Sequence, residues 1–214
     1  MAPRIPSMTT QLLIQGINDK LATLSTFPVL ESECIRLRGI VPDDIDDLFS
    51  LFSDTHVMRF WSRAPMQEQQ EAIDYANSIV DGFAKRELLT WIIADLNSDK
   101  TIGTCSLYDI NPAHARAGLG YALIPAYWGK GLAQEAASLA ISYGLLELGL
   151  QRIEADTDPR NVRSSKVLER LGFKQEGLLR QRFVQQNEIQ DSLIYGLLKN
   201  EWLIYLEKQG YRFE

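Results

Sequence analysis

The chain has 214 residues, 45% of them hydrophobic, and a formal net charge of -6; that is enough for one ordinary core and one domain of mixed structure. The acidic balance leaves no broad basic field for a nucleic acid backbone, so direct nucleic acid binding is not expected, and a cationic acceptor suits the surface better. Two cysteines (Cys34, Cys105) and two histidines (His56, His114) fall short of a structural zinc set, so no metal is expected.

No apolar run reaches the roughly 18 residues that a membrane span needs, and LLIQGINDKLATL is broken by Asn18, Asp19 and Lys20, unlike a signal peptide. The expectation is a soluble cytoplasmic protein whose two cysteines are reduced, small and buried. Leu13, Ile17, Leu21 and Leu24 fall at helical spacing, so residues 1–30 read as an N-terminal extension carrying a short amphipathic helix, packed on the domain or on a second subunit. Residues 31–214 read as a single domain.

In chain order, residues 33–38 alternate as a strand. Pro42-Asp43-Asp44 opens a helix with Ile45, Leu48, Phe49 and Phe52 on one face, and a second helix runs from Gln67 to about Lys85. Strands at 88–96 and 101–110 flank the polar turn Asn97 to Lys100. Residues 118–125 form another strand, ended by Pro125. From Lys130 the spacing of Leu132, Ala136, Leu139, Tyr143 and Leu146 predicts a long helix with one buried stripe, stopped at Gly149.

QRIEADTD is the next strand, and Asp158-Pro159 predicts the cap and first turn of a short helix that buries Val167, Leu168 and Leu171 and stops at Gly172. Residues 173–184 and 189–198 form a last hairpin around Gln185 to Glu188, with Leu193, Tyr195 and Leu197 on one side. The order β-α-α-β-β-β-α-β-α-β-β predicts an α/β (α+β) fold, a mixed sheet with helices on both faces. The last hairpin lies at an edge of that sheet, so a homodimer is a fair expectation.

Between Pro125 and the helix lies YWGKGLAQEA, residues 127–136, a tight turn whose free N–H groups and helix dipole favour an anion. Gly129 and Gly131 permit positive φ and close approach of a phosphate, though a turn that needs two glycines for geometry alone fits as well. Neither the P-loop spacing nor GxGxxG is present. Thirty residues beyond Gly131 comes NVRSSKVLERLGF, residues 161–173. The pairing of these motifs resembles the GNAT acetyltransferases, the GCN5-related family, and WGKGLA...EA with NxxSxxVLExLGFxxEG is similar to the RimJ/RimL branch, whose members acetylate N-termini of ribosomal proteins. The resemblance covers about residues 33–202.

That resemblance implies a GNAT fold whose splayed strands form the acetyl-CoA site. It implies that Trp128, Gly129, Lys130, Gly131, Leu132 and Ala133 cradle the pyrophosphate. An N–H near Leu123 or Ile124 holds the thioester carbonyl and stabilises the oxyanion. It assigns Asn161 to pantetheine, with a helix N-cap on Ser164 as the alternative reading, and places Ser164 near the CoA sulfur, with a hydroxyl satisfied inside its own helix as the alternative.

The family's usual acid tyrosine falls on Leu168 here and is absent, and the glutamate of one RimL enzyme falls on Phe183 or Arg182. Candidate bases, working through water, are Glu154, Asp156 and Asp191, each also readable as a structural carboxylate. Glu135 reads as dipole compensation, and direct transfer is expected rather than an acetyl-cysteine. His56, Arg59, Phe60 and Trp61 in the loop between the first two helices suit a peptide terminus with an acidic neighbour, or simply plug the helical layer. The function expected is acetyl transfer to a protein N-terminal amine. The alternatives are a small amine (aminoglycoside, polyamine or amino acid), a non-catalytic acyl-CoA-binding module, and an ATP-binding protein.

Overall fold

A computed structural model describes residues 8–185 and 188–212. Eight strands form one sheet in the order β1-β2-β3-β4-β5-β6-β8-β7: β1 Leu30–Glu31, β2 Ile35–Arg38, β3 Leu89–Asp95, β4 Thr101–Asn111, β5 Arg116–Leu123, β6 Arg152–Thr157, β7 Lys174–Gln185 and β8 Glu188–Leu198. Neighbouring pairs are antiparallel except β5 and β6, which run parallel. The predicted last hairpin is present with β7 at the sheet edge, and the part of its turn at residues 186–187 lies outside the described residues.

Alternation along the strands gives the sheet two different faces. One carries Trp91, Cys105, Leu107, Leu119, Ile153, Tyr195 and Leu197 and is covered by α1 Met8–Thr23, α5 Leu132–Ser142, α6 Val162–Arg170 and α7 Lys199–Lys208. The other carries Ile92, Ala94 and Ala122 beneath α2 Ile45–Ser53 and α4 Gln69–Ala84, which bury Leu48, Leu51, Phe52 and Ala72 there. A one-turn helix, α3 Thr55–Met58, leads into the loop before α4. Ile17 and Leu21 of α1 belong to the first core, so the N-terminal helix packs as part of it.

A buried ion pair ties β2 to the turn that opens α2. Asp44, 2% exposed, accepts from both terminal nitrogens of Arg38 at 2.8 Å, from the Thr101 hydroxyl and from the Val41 N–H.

Three expectations need correction. The buried face of α5 consists of Ala136, Ala137, Ala140 and Ile141, and Leu139 and Leu146 lie only partly buried at its border. Small residues let this helix lie close to the sheet, and a π turn over Tyr143–Glu147 inserts a residue into the 3.6 repeat, breaking the predicted stripe. Second, α6 starts at Val162 and not after Asp158: Asp158 is occupied by the N–H and guanidinium of Arg160, and Asn161 caps the helix by accepting from Ser164 N at 3.2 Å. Third, α7 follows the last strand where no helix was expected, burying Trp202 and Leu206.

Candidate active site

Strands β5 and β6 pair only from Arg116↔Arg152 to Gly118↔Glu154. Beyond that point Leu119–Leu123 and Ala155–Thr157 diverge, while β4 and β8 still hold their outer edges. The splay leaves a wedge-shaped gap in mid-sheet with unpaired backbone groups along it. Ile124 N donates to Ile102 O on the β4 side; because strand amides alternate, those of Leu123, Tyr121 and Leu119 face the gap. Of the two oxyanion amides expected, Ile124 is therefore committed to the sheet and Leu123 is aimed into the opening. The Leu123 carbonyl accepts from the Trp128 indole Nε1 at 2.7 Å, so Trp128 fastens the glycine turn to the end of the strand.

That turn has the character its sequence suggests. Gly129 and Gly131 hold φ of +77° and +82°, where side chains are strained, and a Cβ at either would meet nothing within 4 Å. The glycines are thus needed for conformation, and the space in front of them is open. Among the described residues none accepts from the N–H groups of Gly129 to Gln134; the first bond of the helix is Glu135 N to Gly131 O. Exposed N–H groups at a helix start, the nearby Lys130 ammonium and open space fit a pyrophosphate.

At the far side of the gap α6 begins. The Tyr121 hydroxyl lies 3.0 Å from Ser164 Oγ, linking β5 to α6 across the opening, and burial pushes the Tyr121 phenol up to about 12. Sequence reasoning missed this pairing, which only the splay creates. The Asn161 carboxamide oxygen caps α6, while its Nδ2 donates to nothing among the described residues and stays available to a ligand.

On the opposite face a cavity of about 260 Å³ opens beside the splay point, lined by Tyr108, Asp109, Arg116, Glu154, Asp156 and Arg182 among others. Tyr108 lies over Gly118 and Gly120, where a Cβ at Gly118 would collide with its ring at 2.4 Å. Glu154 accepts from Arg116 at 3.1 Å and Arg152 at 2.8 Å, and Asp109 also pairs with Arg116. Asp191 accepts from Gln181 N at 2.8 Å, holding an irregular step in the hairpin. Glu154 and Asp191 are thereby engaged as structural carboxylates. Asp156 differs: it accepts from the hydroxyls of Tyr108 at 3.3 Å and Ser192 at 3.1 Å, and Arg182 stands off at 3.7 Å.

The loop between α3 and α4 lies near the open end. Phe60 approaches the Arg160 guanidinium, 5.8 Å from ring to cation, and Arg59 bears electrostatically on Asp158 at the end of β6. Trp61 packs edge-on against Phe52 at 5.4 Å, which is the plug reading. His56 stands exposed in α3 beside Asp54, away from this group. Cys34 and Cys105 are both free thiols, but Cys34 is exposed where burial was expected; Cys105 is buried beneath α5 with its Sγ–H toward Ala136 O, and burial pushes it up to about 12. It is no nucleophile. No helix among the described residues is long and apolar enough to cross a membrane.

Comparison with known proteins agrees with this architecture. Residues 35–174 match the family described as acetyltransferase (GNAT) domain. The chain is 32% identical over 173 residues to the uncharacterized N-acetyltransferase YoaA of Bacillus subtilis (strain 168), covering 81% of this chain and 98% of the relative. It is 27% identical to the spermidine N(1)-acetyltransferase of Escherichia coli (strain K12), covering 79% and 88%. Among solved structures, spermidine N-acetyltransferase from Vibrio cholerae in complex with CoA and spermine superposes with a TM-score of 0.71 at 23% identity, covering 79% of this chain and 98% of that one.

Proposed function

The chain belongs to the GNAT acetyltransferase family and is an N-acetyltransferase that uses acetyl-CoA, and we propose that its acceptor is the α-amine of a protein N-terminus, as in the RimJ/RimL branch that its turn motif resembles. The carrying observation is the charge of the acceptor-side cavity. Among its lining residues three carboxylates face two guanidiniums, and Asp156 has the longest ion pair, 3.7 Å to Arg182 against 3.1 Å from Arg116 to Asp109 and Glu154. One carboxylate in excess suits one ammonium, whereas a polyamine of several charges would meet Arg116 and Arg182.

Acetyl-CoA, when bound, supplies a thioester whose thiol, near a pKa of ~8.5 by analogy with cysteine, leaves readily. The residues around it have distinct tasks. The Gly129–Ala133 turn holds the pyrophosphate, and Asn161 Nδ2 holds the pantetheine. The Leu123 amide, aimed into the splay, would stabilise negative charge on the thioester carbonyl. Asp156 takes up the proton of the acceptor amine through water, from the far face of the sheet. Ser164, hydrogen-bonded to Tyr121, would serve the departing thiolate. Tyr121, at about 12, is too weak an acid to protonate a thiolate of ~8.5; its contribution is a hydrogen bond that polarises Ser164. Two free thiols, one of them exposed, fit a reducing cytoplasm.

The E. coli relative's name supports a second reading, a small polyamine acceptor. Thiol release measured with N-terminal peptides beside spermidine and other small amines separates the two. Turnover on peptides, with kcat/KM at least tenfold above any small amine, is expected; the reverse order refutes the peptide reading.

A further inference from the structure

Arg63, in the loop between α3 and α4, carries a charge with no carboxylate partner among the described residues. Its guanidinium lies between the rings of Phe52 (4.5 Å) and Tyr75 (4.7 Å), with Trp61 at 5.9 Å. Nε and Nη2 are buried with no hydrogen-bond partner, which leaves Nη1 as the nitrogen within reach of solvent. Among the described residues no carboxylate pairs with it: Glu71 acts only from a distance and accepts instead from Gln67 N. Cation–π contacts offset part of the cost of holding a charge there, but buried N–H groups without acceptors cost more than an apolar side chain filling the same aromatic cage. Methionine or leucine would pack this site without that penalty.

The position of the cage explains why a cation stands there. Its Tyr75 wall reaches the side chain of Thr104, and Thr104 is paired with Ala122, next to the Leu123 amide. On its other side the same loop meets Arg160 through Phe60, beyond the end of β6. Arg63 therefore belongs to a loop on the same face of the sheet as the Tyr108–Asp156 cavity, reaching from above β4 and β5 toward the end of β6.

We propose that Arg63 is a specificity residue that binds a carboxylate of the acceptor, the acidic side chain of the residue following the acetylated one. Contact begins at Nη1, and a swing of Trp61 frees Nη2 for a forked pair. This rests on the reading of the acceptor as a protein N-terminus.

The test is acetylation of peptides that differ only in having Asp, Asn or Lys at the second position, by wild type, Arg63→Met and Arg63→Lys. Wild type is expected to favour Asp over Asn by roughly 10- to 100-fold in kcat/KM. Arg63→Met removes that preference and leaves the rate on the Asn peptide and the KM for acetyl-CoA unchanged. Arg63→Lys, which keeps the charge but not the fork, retains a reduced preference and decides the matter should the methionine variant not fold. A wild-type enzyme without preference, or a preference undiminished in the variants, overturns the proposal. If no peptide accelerates thiol release, the acceptor reading has failed on its own. A titration of the CoA-loaded protein with succinate then judges Arg63: binding weakened in the variants upholds the anion site, and equal or absent binding overturns it.

Discussion

Replacing Gly131 by alanine separates what the phosphate turn owes to its own conformation from what it offers a ligand. A Cβ there meets nothing within 4 Å, so no steric clash inside the protein is expected. The backbone cost comes from φ of +82° and amounts to about 1–2 kcal/mol, a fall of about 2–8 °C in Tm for a chain of this size. Ala115 already sits at φ of +48°, so the fold accommodates alanine in that region. The added methyl projects into the space before the unpaired N–H groups. Losing one charge-assisted hydrogen bond to a pyrophosphate, about 1.5–3 kcal/mol, weakens CoA binding roughly 10- to 150-fold. Calorimetric titration with CoA beside thermal melting reads both effects. A lowered Tm with an unchanged Kd for CoA refutes the assignment of this turn to the pyrophosphate.

Asp156→Asn, which keeps the shape and the contacts to Tyr108 and Ser192, lowers kcat by about 100-fold or more with the KM for acetyl-CoA unchanged; a rate within a factor of a few of wild type removes Asp156 from the proton path. Asp44→Asn removes the buried partner of Arg38, which keeps the more exposed Asp99, and costs about 1.5–3 kcal/mol in a denaturant titration. The same pair sets an acid limit. Burial alone raises the Asp44 carboxyl, but hydrogen bonds from Arg38, Thr101 and Val41 outweigh it and hold the folded value below the ordinary one. Its contribution is complete above the ordinary carboxylate pKa of about 4 and is lost as pH falls through the lower folded value. Asp44→Asn flattens the pH dependence of stability in that acid window, and a profile parallel to wild type contradicts the linkage. A thiol reagent labels exposed Cys34 and spares Cys105 in the native protein, leaving acetyl transfer intact; inactivation that tracks modification of Cys105 would revive an acetyl-cysteine route.

The elements best read from sequence are those whose signals are local. The 88–96 and 101–110 hairpin and the glycine turn announce themselves by alternation and by residues that alone tolerate positive φ, and the observed φ at Gly129, Gly131, Gly149 and Gly172 agrees with those stops and turns. Where the reading failed, tertiary structure decided between local options of similar merit. Asp158 and Asn161 are both good caps, and the Arg160 guanidinium, by taking the first, leaves the second to the helix. Large apolar residues promised the stripe of α5, but close packing on the sheet buries alanines instead. The Tyr121 to Ser164 contact and the commitment of Glu154 to Arg116 depend on residues far apart in the chain. No periodicity or motif spacing encodes them.

The most direct test of the central claim is thiol release from acetyl-CoA by the wild-type protein with a panel of N-terminal peptides and small amines, run beside a CoA titration. CoA binding together with release driven by peptides is the result expected of a gap that holds the thioester and a cavity that admits one amine. A protein that binds no CoA contradicts the cradle, and one that binds CoA yet transfers to no amine contradicts the catalytic arrangement across the splayed strands.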